Sequence, residues 1–439
     1  LRAYWRAKTS KRRYSMKINK KKLLAALRIA SRVVEKKSHM PILSTVLIAN
    51  GNMKATNLDI GVNIALDAEM DKDEKFCIHC RRLTDIVRSL DAETVEIMAK
   101  ENQAVKINGY FEVYNMKADE FPDFNMAEAE IDEKNHVTIS KGALQRVASS
   151  ATNEECGFKL AGVYFDGENS VAVASDGHRL HMENVEMSGP AWFLPLTAIR
   201  VIMPACKDEV TFKVFKAQQV VVRPESEKPE ADMLDGLRKD QLMALNDDYF
   251  GLEVSAKGTI KQIAKTMMDV MKEKAKPEYK DVIKNVLTTI NGITFVVRTP
   301  ETRFPDYKAI FPNIVHTVNV KRDDMLPPLE QALSLSSERY KAVKMTFNGH
   351  IEMMVENPDI GTYQRHTIPM KGNVEPEVRG GFNPVYLRDI VAMATDDVEI
   401  GVPESHVLTK EDGTEDIGLC KPLVFKHGTF TGLVMPMRV

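Results

Sequence analysis

Two short segments of this 439-residue sequence carry side chains that could do chemistry. Cys77-Ile78-His79-Cys80 has the spacing of a zinc-ligand pair, in which thiolates or an imidazole would hold the ion tetrahedrally. No second ligand pair follows, so a strand end with buried cysteines explains the segment better, and no metal is expected. Ser175-Asp176-Gly177-His178 gathers a hydroxyl, a carboxylate and an imidazole. Nucleophilic catalysis needs a base oriented by a third group, and none is in view. The sequence also lacks a G-x-x-x-x-G-K-S/T loop, a G-x-G-x-x-G turn, an H-E-x-x-H helix and a G-x-S-x-G elbow. Catalysis and a bound cofactor are therefore not expected. Binding chemistry remains, and the Lys and Arg side chains are the cations to be placed.

The elements that position those cations recur three times. KKLLAALRIASRVV precedes PILSTVLIANGNMKATNLDIG, KGALQRVASSATNEE precedes LAGVYFDGENSVAVASDGHRL, and DDMLPPLEQALSLSSERY precedes AVKMTFNGHIEMMVENPDIG. Each reads as a helix, a strand, a tight turn and a returning strand. The turns are Asn50-Gly51, Asp166-Gly167 and Asn348-Gly349, a strong hairpin signal between alternating apolar runs. Each unit continues into a second helix (CRRLTDIVRSL, PLTAIRVIMPAC, NPVYLRDIVAMATD) and further strands, and ends in FPDF, FPDY or MPMR. Such a repeat predicts an α+β fold of three domains, each with two helices on one face of antiparallel sheet.

The expected limits are 16–134, 135–315 and 316–439. The middle unit is longer, and the surplus falls at about 224–291, after VTFKVFKAQQVVVR. That stretch opens on a polar linker and carries Ile260, Ile263, Met267, Val270 and Met271 at helical spacing, so it reads as an inserted helical segment. It is either a tolerated hairpin-tip insertion or a partner-docking module. Residues 1–15 hold six basic residues and no acid, and read as a disordered appendage.

Four motifs, in register on this repeat, resemble one family. ASDGHRL (174–180), RFPDYKAIFP (303–312), the terminal VMPMRV (434–439) and, near the start, HMPILSTVLIANGNMKATNLDIG are similar to the bacterial DNA polymerase III β subunit, the sliding clamp. The resemblance covers about 16–223 and 292–439; the first 15 residues and the insert have no counterpart, which is compatible with a viral or divergent bacterial member. It implies a homodimeric ring of six similar domains, helices inward and sheets outward, that encircles duplex DNA and tethers a replicative polymerase. A ring of this kind raises the enzyme's effective concentration at the primer end. Lacking a phosphate-binding loop, it would need an ATP-driven clamp loader.

The resemblance also distributes roles. The cations on the repeated helices are Arg28, Arg32, Lys36 and Lys37 on the first, Arg81, Arg82 and Arg88 on the second, Lys141 and Arg146 on the third. Arg200 and Lys207 follow on the fourth, Arg322 on the fifth and Arg388 on the sixth. Any solvated helix face carries some such residues, so the alternative is plain surface charge. Lys37 stands where the family has a DNA-contacting Arg. Asn153, Glu154 and Glu155 fall where the family offers a polar DNA contact, and the two acids argue against it here. A docking pocket for polymerase and loader peptides would comprise Leu160, Ser175, Gly177, His178, Arg179, Leu180, Pro305, Ile310, Val434, Met435, Pro436, Met437 and Arg438. Ala309 departs from an Arg common in the family. Apolar and Met side chains suit several clients, because they repack around different anchors. A dimer seam would use Phe111 and Val113 on a domain-1 edge strand and Leu335 on the domain-3 helix, with Ser334 replacing a usual apolar residue.

Composition bounds these expectations. Hydrophobic residues make up 44% and charged residues 28%, ordinary values for globular domains. No apolar run is long enough to span a membrane, and five cysteines in a chain of this length suit a reducing, cytoplasmic setting. The net charge is −2, from 60 basic and 62 acidic residues; beyond residue 15 it is 54 against 62, or −8. An acidic body argues against nucleic acid unless the cations are segregated onto one face.

Overall fold

The structure is a computed structural model. It describes residues 16–70, 74–100, 104–122, 124, 131–152, 161–215, 218–222, 260, 262, 264–265, 278–300, 304–336, 342–409 and 415–437. Domain 1 runs β1 (Met16–Asn19), α1 (Lys20–Ala30), β2 (Thr45–Ala49), β3 (Asn52–Thr56), β4 (Ile60–Ala65), β5 (Ala68–Met70) and β6 (Lys75–His79). It continues with α2 (Cys80–Ser89), β7 (Thr94–Ala99), β8 (Ala104–Ile107) and β9 (Phe111–Tyr114). Domain 2 runs β10 (Ile131–Ser140), α3 (Lys141–Ala148), β11 (Gly162–Asp166), β12 (Val171–Ser175), β13 (Arg179–Asn184), β14 (Glu186–Met187) and β15 (Trp192–Pro195). Then come α4 (Leu196–Ile202), β16 (Glu209–Phe215), β17 (Gln218–Val222), β18 (Glu278–Val282), β19 (Asn285–Ile290) and β20 (Ile293–Arg298). Domain 3 runs β21 (Ile314–Lys321), α5 (Arg322–Leu333), β22 (Val343–Phe347), β23 (His350–Asn357), β24 (Gly361–Pro369) and β25 (Val378–Phe382). It ends with α6 (Pro384–Met393), β26 (Asp397–Pro403), β27 (His406–Thr409), β28 (Glu415–Gly418), β29 (Leu423–His427) and β30 (Phe430–Val434).

Each repeat passes from its first strand straight into a helix, and in the first two the turn between them is set by a capping side chain. Asn19 accepts from the backbone N–H of Lys21 and Lys22 at 2.9 and 3.3 Å, and Ser140 from that of Ala143 at 3.1 Å. Such caps satisfy donors that the first helical turn leaves unpaired. Beyond the cap, Leu23, Ala26, Leu27 and Ala30 fall on one stripe of α1 and are buried. Each of its leucines stabilises by roughly 1.5–3 kcal/mol on burial. Domains 1 and 2 share one apolar core and domain 3 has its own.

The sheets repeat in register. The first half-sheet of each domain is ordered β5-β1-β7-β8-β9, β14-β10-β16-β19-β20 and β21-β26-β29-β30. The second is β4-β3-β2-β6, β13-β12-β11-β15 and β24-β23-β22-β25. Domains join by fusing these halves. β20 pairs with β4 (Phe295 opposite Val62, Val296 opposite Gly61), and β30 pairs with β13 (Leu433 opposite Leu180, Val434 opposite Arg179). The α+β expectation of three repeated units therefore stands.

Three details differ from expectation. Domains 2 and 3 begin at Ile131 and Ile314, slightly before 135 and 316, because their opening strands are longer than the helix pattern reveals. The insert lies earlier than 224–291: among the described residues β17 and β18 pair with each other alone, in a separate compact unit spanning 217–282, while β19 returns to the domain-2 sheet. NVLTTI is thus a strand, and Asn291-Gly292, both at positive φ, turn it into β20. Ile260, Gln262, Ala264 and Lys265 are helical, but Ile263, Met267, Val270 and Met271 lie outside the described residues, as does the appendage 1–15. Finally, Asp166-Gly167 is no two-residue hairpin. Asp166 accepts from the N–H groups of Glu168 and Asn169, and the loop runs on to Ser170 before β12.

Candidate functional site

The predicted cations fall into two groups. Arg28 lies on α1, and Arg81, Arg82 and Arg88 on α2; all four are exposed. Arg32, Lys36 and Lys37 are exposed too, but they follow α1, which ends at Ala30; likewise Lys207 lies in the turn beyond α4, whose basic residue is the exposed Arg200. Arg28, Arg32, Lys36, Lys37, Arg82 and Arg88 make no ion pair among the described residues, and Arg81 only approaches Asp85 at 4.0 Å. Their charge is therefore available to an incoming polyanion.

The second group is engaged within the fold. Lys141 Nζ donates to the Cys206 carbonyl at 2.8 Å. Arg146 meets the buried Glu183 through Nε at 3.2 Å and a second nitrogen at 2.8 Å. Arg322 pairs with Asp323 at 3.0 Å and Arg388 with Asp389 at 2.8 Å. The forked Arg146–Glu183 contact argues against Arg146 as a free phosphate contact, since moving it would strand a carboxylate that is 2% exposed.

The predicted pocket residues gather where β13 meets β30. Leu180 and Leu433 face each other across that seam and form an apolar cluster with Val171, Val173, Tyr307 and Val424. Segment 304–311 covers one side: Phe304 stacks on Tyr164 at 4.9 Å, and Tyr307 donates its hydroxyl to Asp166 at 2.7 Å. Pro305 and Ile310 are exposed on this segment. On the other side the chain leaves β30 with Met435 N–H donating to the His178 carbonyl and Met437 N–H to that of Gly381, at 2.9 and 2.8 Å. Ser175 is buried, donating to the Arg179 carbonyl and accepting from Gly177 N–H, and Gly177 takes a φ of +86° that favours glycine. His178 and Met437 are exposed, Met435 and Pro436 half-buried, and Val434 buried. The structure thus brings together Ser175, Gly177, His178, Leu180, Pro305, Ile310, Val434, Met435, Pro436 and Met437. Leu160, Arg438 and Asn153 to Glu155 lie outside the described residues.

Arg179 has a different place from the one expected. It reaches Asp176 at 3.1 Å, Asp389 at 3.0 Å and the Ser149 carbonyl at 2.8 Å, and its guanidinium lies 4.5 Å from the Tyr386 ring centroid. It is a strut between domains 2 and 3, because Asp389 and Tyr386 belong to α6. Those partners, with Glu183, Asp166 and Tyr307, escaped sequence reasoning; FPDY against FPDF was the one visible signal, a hydroxyl present in one repeat and absent in another. Asp166 is held below its usual range although burial alone would raise it, because the Tyr307 hydroxyl and the Asn169 side chain donate to it.

Phe111 is 36% and Tyr114 82% exposed on β9, the end strand of its sheet, while Val113 and Leu335 are half-buried. Arg82, Asp85, Ile86, Glu112, Val113 and Tyr114 line a cavity of about 300 Å³ between α2 and β9. Leu335 lies just beyond α5 rather than on it. The zinc-like segment is structural: Cys77 contacts Thr45 Oγ1 at 3.0 Å, and burial pushes the Cys77 and Cys80 thiols up, Cys80 to about 11. Among the described residues no three His, Cys, Asp or Glu side chains could share a metal ion, and no helix is long and apolar enough to cross a membrane.

Comparison with known proteins agrees with this geometry. Residues 14–126 match the DNA polymerase III beta subunit, N-terminal domain family. The beta sliding clamp of Vibrio cholerae serotype O1 is 19% identical over 414 residues, covering 91% of this chain and 96% of that protein. The beta sliding clamp of Pseudomonas putida is 20% identical over 438 residues, covering 96% and 99%. The crystal structure of the DNA polymerase sliding clamp from Bacillus subtilis superposes with a TM-score of 0.69 at 16% identity, over 97% of this chain and 99% of that one, and so shares the fold. With its three repeated domains in register, this chain is similar along nearly its whole length to β sliding clamps and shares their fold, and its residues 14–126 match the N-terminal domain of that family.

Proposed function

We propose that two copies of this chain close into a ring around duplex DNA and hold a replicative polymerase at the primer end. The observation that carries the reading is the register of the domain seams. Within the chain β4 pairs with β20 and β13 with β30. The third pairing of the series would be β24 with β9, and both are end strands of their sheets. A strand cannot pair with a β9 at the far end of its own chain and also leave room for a duplex, so a second copy supplies it. Two such head-to-tail contacts close a two-fold ring of six domains. In that closure Leu335 approaches the cavity beside β9; α5 is tied to β24 by the Tyr363 hydroxyl donating to Gln331 at 2.9 Å, which supports this placement.

The exposed Arg28, Arg32, Lys36, Lys37, Arg81, Arg82, Arg88, Arg200 and Lys207 supply phosphate contacts without base contacts, which is what sliding requires. The apolar seam between β13 and β30 docks polymerase and clamp-loader peptides by Leu or Phe anchors. The chain catalyses no reaction itself; an ATP-driven loader opens and closes the ring, and the site of action is the cytoplasm. Primer extension on a circular template, with loader and cognate polymerase, tests the reading. Longer products in the presence of the protein are expected, and unchanged product lengths would sink it.

A further inference from the structure

The two seams inside the chain share one register, and that register carries over to the end strands β24 and β9. Each receiving strand starts at a loop marked by one side chain. Asn57 Oδ1 accepts from Asp59 N–H at 3.2 Å, Asp176 Oδ1 from His178 N–H at 3.0 Å and Asn357 Oδ1 from Asp359 N–H at 3.1 Å. Across the hairpin, Asn57 N–H donates to the Ile60 carbonyl, Asp176 N–H to that of Arg179, and Asn357 stands opposite Gly361. Counting on from those partners, Ile64, Glu183 and Arg365 hold the same place on β4, β13 and β24. Ile64 pairs with Ile293 and Glu183 with Phe430, the residues that open β20 and β30 directly after their turns. On β9 the opening residue is Phe111.

The regular part of β24 matches the length of β9. β24 runs nine residues, but His366 and Thr367 together oppose Glu352 alone, in a bulge where Thr367 takes a φ of +68°. A bulge bends its strand and interrupts the ladder. The regular stretch is therefore 361–365, against the four residues of β9.

The helix-side faces of the two strands are complementary in charge. Tyr363 packs on the domain-3 core and donates its hydroxyl to Gln331 of α5. Arg365, two residues on, lies on the same face. It is exposed and makes no ion pair among the described residues, and its charge opposes the rise that burial gives the Tyr363 pKa. On β9, Val113 lines the cavity beside α2 together with Asp85. The Asp85 carboxylate is 63% exposed and, among the described residues, approaches one cation, Arg81, at 4.0 Å.

We propose that a second copy docks its β9 on β24 with Arg365 opposite Phe111 and Tyr363 opposite Val113, and that Arg365 answers Asp85 of that copy across each seam. The inference rests on the ring reading above and adds its register and its ion pair. The bulge marks where the pairing stops and keeps longer edge strands off β24.

The test is the dimer dissociation constant of the full chain, measured by analytical ultracentrifugation over a concentration series. Arg365→Asp and Asp85→Arg are each expected to weaken the dimer about tenfold or more, because a two-fold ring carries the pair twice. The double variant restores the attraction with its sense reversed, and is expected within about threefold of the wild type. An unchanged constant in either single variant, or no recovery in the double, overturns the register and the pair while leaving the ring standing. A wild type that stays monomeric throughout the series sinks the ring reading, and this inference with it.

Discussion

Acidification should weaken the seam between domains 2 and 3, through His181. Its side chain is fully buried on β13; Nδ1 donates to the Arg146 carbonyl at 2.9 Å and lies 3.1 Å from Ser149 Oγ, while Nε2 has no hydrogen-bond partner among the described residues. The ring packs edge-on against Phe430 of domain 3, centroids 5.2 Å apart. Burial pushes its pKa down to about 4, with Arg179 acting the same way and the Arg146 carbonyl, Asp176 and Asp389 opposing. The folded pKa thus lies below the ordinary value of about 6.5, so the stabilising state is the neutral one. Above pH 6.5 the imidazole is neutral in both folded and unfolded chains and contributes nothing to pH dependence. As pH falls below it the unfolded chain takes a proton that the folded one refuses, and stability is lost down to about pH 4. At 1.36 kcal/mol per unit the loss at pH 5 is about 2 kcal/mol, rising to about 3 kcal/mol near pH 4. Denaturant unfolding of wild type and His181→Gln at pH 7.5 and pH 5 isolates the effect, since the other histidines are common to both proteins. Wild type should lose about 2 kcal/mol more than the variant between the two pH values. Equal losses would refute the assignment.

Glu183→Gln removes the charge that holds Arg146 and accepts from Thr429 of domain 3. Because Arg146 is 29% exposed, the cost should be about 2 kcal/mol rather than the 3–5 of a fully buried pair, read as a lower denaturation midpoint. If two copies close through β9 as proposed, replacing Phe111 and Tyr114 with Asp places carboxylates on that exposed edge strand and should give a monomer in sedimentation velocity where the wild type gives a dimer, with circular dichroism unchanged. A dimer that survives both changes would exclude that edge from the ring. Cys420, exposed, should be alkylated by iodoacetamide before the buried Cys77 and Cys80, which stay protected until unfolding, because the thiolate is the reactive form and burial suppresses it. Peptide mapping showing Cys80 labelled as fast as Cys420 would contradict its placement.

Local pattern made the repeat legible, and distance hid the rest. Asn50-Gly51 adopts positive φ at both residues, as its sequence requires, and the helix stripes of α1 to α3 fall where the apolar spacing puts them. Asn291-Gly292 carried the same hairpin signal but was absorbed into the insert, because the strand before it, NVLTTI, followed an amphipathic run that reads as helix. The cations were legible as residue types only. Whether each is free depends on acids far away in sequence: Arg146 is engaged by Glu183, 37 residues on, and Arg179 by Asp389, 210 residues on. Helix ends were misjudged for a related reason. Arg32, Lys36, Lys37 and Lys207 continue a basic pattern past Ala30 and Ile202, where the helices end.

The charge distribution that emerges is graded by domain, and the grading is testable. In domains 1 and 2 the helices α1 to α4 carry Lys20, Lys21, Lys22, Arg28, Arg81, Arg82, Arg88, Lys141, Arg146 and Arg200 against one acid, Asp85. In domain 3, α5 and α6 carry Arg322 and Arg388 against Asp323, Asp324, Glu330 and Asp389, and both arginines are ion-paired. A chain that is acidic overall can therefore still face a duplex with cations, but only on two domains in three. Releasing counterions from phosphates gives a slope of log affinity against log salt of about −0.9 per contact. Arg82→Ala with Arg88→Ala should lower that slope by up to about 2 on a duplex oligonucleotide. Arg322→Ala with Arg388→Ala should leave it unchanged, because those charges are already answered by Asp323 and Asp389. Equal effects from the two pairs would mean that the lining is uniform and that the acids of domain 3 do not face the DNA.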